Sequence, residues 1–350
     1  MDETNSLKQL LESYTTEGEL YKVKDDRNVI CYACGHRCYI KNGRNGICKV
    51  RYNQNGTLRV PANYAAGIQC DPIEKKPFYH VYPGTRAVTF GMLGCDYHCP
   101  FCQNWITSQA LRDPNAIAGI REITPIDLVI MAKKHRAKAI ISSYNEPLIT
   151  SEWAVTIFKE AKKAGLLTGY VSNGNATQEV LDYLRPHTDC YKIDLKSFSE
   201  ASYRKMGGTL KNVLNTIKMV HEKKFWTELV TLIIPGLNDS DDELRDMATF
   251  IADVSPDIPW HVTAFHRDYK MTDPNNTPVE TLFRAVEHGH QAGLHFVYAG
   301  NLPGQVGSLE NTVCQNCQTV LIKRVGHHIT KNIIKNGMCP QCRTSVPGIW

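Results

Sequence analysis

The stretch A87-VTFGMLGCDYHCPFCQN-W105 holds two features side by side. Residues 87–93 are apolar and rich in β-branched and aromatic types, the pattern of a buried strand. Directly after it come Cys95, Cys99 and Cys102 in the spacing C-x3-C-x2-C. Iron–sulfur clusters are held by cysteine thiolates, and a [4Fe–4S] cube normally takes four. Three close ligands without a local fourth leave one iron open to a small molecule.

Similar strands recur at 138–144, 167–172, 190–195, 227–234, 260–265 and 295–299. Helical patterns fill the intervals, near 124–135, 151–164, 177–185, 209–223, 240–253 and 278–291. Thr124-Pro125 and Ser240-Asp241 read as helix starts. The alternation predicts an α/β chain of parallel βαβ units, a full or partial (β/α) TIM-type barrel, with a doubly wound open sheet as the runner-up. Either fold puts its site at the C-terminal ends of the strands. The polar motifs fall there: Tyr144-Asn145-Glu146-Pro147, Ser172-Asn173-Gly174-Asn175, Asp194-Leu195-Lys196 and Ile234-Pro235-Gly236 each close a predicted strand.

The chain has 350 residues, a net charge of +5 and thirteen cysteines. Its Lys and Arg residues are scattered, which permits an anionic partner without requiring one. No apolar run approaches a membrane span and no signal-peptide pattern opens the chain, so a cytoplasmic protein is expected. In that compartment cysteines read as metal ligands in preference to disulfides. Besides the central three they group as Cys31, Cys34, Cys38, Cys48 and as Cys314, Cys317, Cys339, Cys342. The second group, two C-x2-C knuckles 21 residues apart, reads as a structural zinc ribbon. The first fits zinc or a second iron–sulfur cluster, with His36 as a substitute ligand. Cys70 and Cys190 stand alone and read as small buried hydrophobes. The expected organisation is an N-terminal helical segment (1–30), a Cys-rich module (31–70), the barrel (71–310) and a zinc-ribbon-like module (311–350).

The spacing of Cys95, Cys99 and Cys102, with Phe101 before the last, resembles the cluster loop of radical S-adenosylmethionine (SAM) enzymes. DPIEKKPFYHVYPGT (71–85), GCDYHCPFCQNWITSQ (94–109), YNEP, SNGN, IDLKSF (193–198), LIIPGLNDS (232–240) and the final CPQC…PGIW resemble the AmmeMemoRadiSam-system radical SAM family. That family is similar to the activating enzymes of pyruvate formate-lyase, and the likeness covers roughly residues 31–350. It implies a [4Fe–4S] cluster on Cys95, Cys99 and Cys102. It also implies SAM contacts from Asn145 and Glu146 to the methionine amino group, from Asn173, from Asp194 and Lys196, and from Ile234 and Pro235 to adenine. Tyr-Asn replaces the superfamily's Gly-Gly before Glu146, so the role transfers better to Glu146 than to Asn145. The resemblance further implies a flavodoxin- or ferredoxin-type electron donor and hydrogen abstraction from a protein. The family name implies genomic linkage to two other small proteins as candidate partners.

Plainer readings stand beside these. Asp194 and Lys196 share a strand face and can pair with each other. Asn173 suits a turn. His98, Gln103, Asn104 and Trp105 fit packing around the cluster loop. His261 and His266 flank the sixth strand, and His266 is the candidate for substrate contact. Two other functions compete: modification of RNA or another anionic molecule, and a non-enzymatic zinc-dependent scaffold.

Overall fold

A computed structural model describes residues 3–350, with side chains from Leu7 onward. At its centre is an eight-stranded sheet: β1 (Gly67–Pro72), β2 (Arg86–Gly91), β3 (Ala139–Ser142), β4 (Leu167–Ser172), β5 (Cys190–Asp194), β6 (Trp226–Ile233), β7 (Trp260–Ala264) and β8 (Val297–Gly300). Strand order follows chain order from β8 back to β1. Pairs from β2 to β8 are parallel, and β1 runs antiparallel to β2, from Gly67 opposite Gly91 to Pro72 opposite Arg86. The order never reverses, so the sheet has no switch point and is not doubly wound. Among the described residues β1 and β8 do not pair, which makes this a partial barrel.

The crossover helices are α1 (Pro125–Lys134), α2 (Ser151–Lys163), α3 (Gln178–Leu184), α4 (Glu200–Met206), α5 (Leu210–Glu222), α6 (Asp241–Val254) and α7 (Val279–Gln291). Thr124 caps α1 in a reciprocal capping box with Asp127, and Ser240 caps α6 through the Glu243 amide, where the sequence puts the two helix starts. Helix α4 is not expected from the sequence: seven residues are too few for a clear apolar period.

Period-two alternation sorts the strands into two faces. Val88, Phe90, Ile140, Tyr191 and Ile193 join the core that includes Ala154, Ile157 and Phe158 of α2. Ala87, Ala139, Ile141 and Cys190 turn the other way and pack with Ile73, Phe78 and Val81. Cys190 is thus the buried hydrophobe expected, whereas Cys70 is only half-buried on β1.

Segment 73–82 closes the floor of the barrel. Glu228, fully buried on β6, accepts hydrogen bonds from the Tyr79 and His80 amides at 2.9 and 3.0 Å, and from the Trp226 indole at 2.9 Å. His261 Nε2 lies 2.7 Å from the same carboxylate. The C-terminal residues lock on from below: the Ile349 amide donates to the His80 carbonyl (2.7 Å), and buried Arg324 donates to the Tyr79 carbonyl (2.9 Å).

The expected helical segment 1–30 is helical only over Glu3–Ser13. Beyond it Thr15–Glu17 pairs with Thr57–Pro61, and Tyr21–Val23 with Val29–Cys31. Short β-rich stretches there give too few repeats for periodicity to register. No helix among the described residues is long and apolar enough to cross a membrane.

A buried ion pair ties the N-terminal region to the barrel, beside the exposed pair of Arg37 with Glu179 of α3 at 2.6 Å. Arg51 meets Glu152 of α2 in a two-pronged contact at 2.7 Å, with side chains 1% and 4% exposed, and also donates to the Ile149 carbonyl. Losing one partner strands a buried charge. Arg51→Ala should therefore cost about 3–5 kcal/mol by that principle, read as a lowered midpoint in chemical unfolding.

Candidate functional site

The loops at the C-terminal ends of β2 to β5 surround a cavity of about 460 Å³ that continues into the barrel. Its mouth holds Cys95, Cys99 and Cys102, with Asn145, Glu146, Asn173, Asp194 and Lys196. Its inner wall carries Val171, Lys192, Val230, Leu232, His261, Thr263 and Tyr298, the inward set of alternating strand residues. Sequence reasoning expects most of the mouth, and the fold brings it together.

Cys99 is buried, while Cys95 and Cys102 are partly covered. Burial pushes the Cys99 thiol up to about 12, with nearby Lys196 pulling the other way. Burial also raises Cys95 and Cys102. Binding any thiolate-held group would therefore release protons. The Tyr97 amide donates to Cys95 Sγ at 3.3 Å, and Ser108 Oγ lies 3.2 Å from Cys102 Sγ. Three thiols converging on one cavity, with hydrogen bonds to sulfur already present, fit a cluster.

Glu146, 2% exposed, accepts from the Leu148 amide (3.1 Å), the Ser172 hydroxyl (2.8 Å) and the Asn173 amide (2.6 Å). Burial, then the charge of Asp96, pushes its carboxyl up to about 8. Asp96 is itself fully buried and takes the side-chain amides of Asn173 and Asn175, each at 2.8 Å. Sequence reasoning misses Asp96 and Asn175. The available signal is an acid placed between cluster cysteines, where a solvated role is hard to arrange.

Asn145 is committed to the backbone: its Oδ1 accepts from the Met92 amide at 3.0 Å and its Nδ2 donates to the Glu146 carbonyl. Asp194 pairs with Lys196 at 3.0 Å and with Lys192. Burial would raise the Asp194 carboxyl, but the two lysines hold it well below the usual range. Burial likewise pulls the Lys196 ammonium down, but Asp194 and Cys99 hold it above its ordinary value. The plain reading of this pair is thus realised, and Lys192 joins it. Lys192 was legible as the third member of an i, i+2, i+4 row.

At β6 the wall is Val230 and Leu232. Ile234 is fully buried under a turn pinned by Asn238, whose Oδ1 accepts the Ile234 amide at 2.7 Å, and Pro235 is half-exposed. His266 is exposed and meets Gln103 Nε2 at 3.1 Å, whereas His261 borders the cavity.

Apart from this cavity, Cys314, Cys317, Cys339 and Cys342 bring their sulfurs within 4.8 Å of one another, a compact metal-binding group. The Cys314–Cys342 and Cys317–Cys339 sulfurs are 3.5 and 3.6 Å apart.

Comparison with known proteins matches this geometry to a family. The model of the radical SAM superfamily matches residues 90–251. An uncharacterized protein of Methanocaldococcus jannaschii is 37% identical over 310 residues, 88% of this chain and 91% of its own. The pyruvate formate-lyase-activating enzyme of Staphylococcus epidermidis is 24% identical over 195 residues, 53% of this chain and 76% of its own. A radical SAM methyltransferase from Sphaerobacter thermophilus shares the fold, with a TM-score of 0.50 at 16% identity over 63% of this chain and 68% of its own. The scaffold alternative falls away, and with its barrel, its cysteine loop and these relatives the chain belongs to the radical SAM superfamily of enzymes.

Proposed function

We propose that Cys95, Cys99 and Cys102 hold a [4Fe–4S] cluster, that SAM occupies the mouth of the cavity beside it, and that a protein supplies the hydrogen atom abstracted. The carrying observation is that three cysteines of one loop and the buried Glu146 border a single cavity. When bound, the cluster and SAM supply one-electron cleavage of the sulfonium to methionine and a 5′-deoxyadenosyl radical, which becomes 5′-deoxyadenosine on taking a hydrogen atom. The electron comes from a flavodoxin- or ferredoxin-type donor.

The chain's own residues bind and shield. Glu146 is the partner for the methionine ammonium, since a carboxylate and an ammonium in a buried site form a strong charge-assisted bond. Asn173 donates its backbone amide to Glu146 and its side-chain amide to Asp96, fixing both carboxylates. Lys196, beside Cys99, is the cation available to a SAM carboxylate, with Asp194 holding it in place. Val171, Val230 and Leu232 give the cavity an apolar flank that limits water.

A protein substrate is favoured by the relative named for activating pyruvate formate-lyase. At the C-terminal cysteines zinc is favoured: thiolate bonds of about 2.3 Å to one tetrahedral ion put sulfurs roughly 3.8 Å apart, close to the separations found.

Anaerobically reconstituted protein with SAM and a one-electron reductant should yield 5′-deoxyadenosine, measured by liquid chromatography. Cys99→Ala should reduce the yield to background and bleach the broad absorption near about 400 nm expected of a thiolate-held cluster. An unchanged yield would overturn the assignment.

The acid at Glu146 gives a second readout. Its carboxyl in the free protein is held up to about 8, so at neutral pH it is mostly protonated. An ammonium ligand favours the ionised form. SAM binding should thus release close to one proton, and affinity should rise with pH between about 6 and 7.5, by up to about tenfold per unit. Calorimetry in buffers of differing ionisation enthalpy measures the proton. Glu146→Gln should bind more weakly and lose the release.

A further inference from the structure

The first four cysteines lie on two turns that converge. Cys31 ends the strand Val29–Cys31, and its amide donates to the Cys38 carbonyl at 3.0 Å. Cys34 opens a turn closed by the Arg37 amide, also at 3.0 Å. Cys48 sits in a second turn, closed from the Lys49 amide to the Gly46 carbonyl at 3.0 Å. A Cβ built on Gly46 would lie 3.6 Å from Cys38 Sγ, so the second turn rests against the first. All four thiols are free, and Cys31, Cys34 and Cys48 are buried. His36 is turned away, its Nε2 lying 3.2 Å from the Asp96 carbonyl oxygen, which leaves four thiols as the ligand set.

The first turn touches the loop after β4, and the second touches the loop that carries the central cysteines. From the first turn the Gly35 amide donates to the Asn175 carbonyl at 2.7 Å. The side chain of Asn175 donates to Asp96, Asp96 also receives Asn173, and the Asn173 amide donates to Glu146. An unbroken hydrogen-bonded path thus runs from the residue after Cys34 to the acid at the cavity mouth. Gly35 is needed for the approach: a Cβ there would fall 2.4 Å from Asn175 Oδ1 and 2.4 Å from Asn212 Nδ2. From the second turn, the Cys48 carbonyl would meet a Cβ on Gly94 at 3.0 Å, and Gly94 also takes φ +92°. Gly94 is the residue before Cys95.

We propose that Cys31, Cys34, Cys38 and Cys48 hold a third thiophilic metal centre, a zinc ion or an iron–sulfur cluster, whose loading positions Asp96 and Asn175 and so sets the Glu146 side of the SAM site. Packing against the barrel core and the Arg51–Glu152 pair hold the region as a whole, and the metal would fix the two cysteine turns, since binding to four thiolates is coupled to the folding of the turns that carry them. Its effect on SAM rests on the function proposed above. Its effect on the loop does not.

The test uses full-length protein prepared anaerobically in three forms: wild type, the double variant Cys34→Ser/Cys38→Ser, and Gly35→Ala. Elemental analysis, deuterium exchange over residues 172–177 and equilibrium dialysis with SAM are measured on each. The double variant should lose about one zinc or about four irons per chain relative to wild type, and which metal leaves identifies the centre. Gly35→Ala should keep that metal. Both variants should speed exchange over 172–177 about tenfold and weaken SAM about tenfold, the equivalent of one or two lost hydrogen bonds. The proposal is overturned if wild type and the double variant carry equal metal. It is equally overturned if the metal is lost while exchange over 172–177 stays unchanged in both variants. If wild type binds no SAM the function proposed above fails, and metal content and exchange still decide this inference. Should the double variant not fold, wild-type metal content above that of the central and C-terminal sites, together with exchange in Gly35→Ala, decides it.

Discussion

A fully buried carboxylate must have its lone pairs filled by donors or pay a heavy desolvation cost. Asp96 meets this demand with two side-chain amides, one on each oxygen, from Asn173 and Asn175. The consequence reaches past one residue. Asp96 belongs to the cysteine loop after β2, and both asparagines belong to the loop after β4. Glu146, from the loop after β3, is bound to the Asn173 amide. Three successive loops are therefore one rigid unit. The same bonds keep two carboxylates near each other in a dry place, which is why Glu146 holds its proton so firmly. Lys196, whose charge reaches Cys99 and Cys102, is balanced by Asp194, which holds it in place. The mouth is thus built with an unbalanced acid, the arrangement that receives a cation best.

The floor of the barrel uses a buried acid in the opposite way. Glu228 has two backbone amides, an indole and an imidazole around it. Burial would raise its carboxyl, but the hydrogen bond with His261 leads the effects that hold it below the ordinary value. His80 is pushed down to about 4, chiefly by burial, and so stays neutral; its Nε2 lies 2.6 Å from the Tyr298 hydroxyl. These partners come from segment 73–82, from β6 itself and from β7, so Glu228 serves as the anchor on which segment 73–82 closes the barrel. The contrast between Glu228, saturated with donors, and Glu146, beside a like charge, separates the closed end from the reactive end without reference to any motif.

The alternation of strands and helices was legible because parallel strands buried on both faces read as apolar runs, and helices on one side keep a 3.6-residue period. All seven parallel strands lie within a few residues of where the sequence puts them, and the polar motifs do collect at one end. The N-terminal region was not legible in the same way. Its strands are two to five residues long, and its order comes from Arg51 and Glu152, a pair 101 residues apart. The lysine–aspartate cluster was half legible: the shared face of Asp194 and Lys196 was visible in the spacing, but which of pairing or ligand contact wins depends on burial. Asp96 was hidden because an acid in a loop ordinarily faces water. Only the asparagines that fold over it, some eighty residues on, make it structural.

The barrel's incompleteness follows from the same physics. Antiparallel β1 presents its free edge where a parallel strand would be needed to meet β8. The wall between the two edges is made of loop residues: Lys75, Lys76 and Pro77 from the segment before β2, and Pro303, Gly326 and His327 from the segment after β8. Lys75 and Lys76 both reach Asp71, at 3.3 and 3.1 Å, so that border is held by side-chain charge and not by a strand ladder. The exposed Lys75 pair contributes at most about 1 kcal/mol, whereas Lys76 is buried and also donates to the Tyr144 hydroxyl at 3.3 Å, so losing its partner would strand a buried charge. The cavity is therefore bounded by hydrogen-bonded loops where the cysteines and Glu146 sit, and along this one side by side-chain contacts in place of a strand ladder.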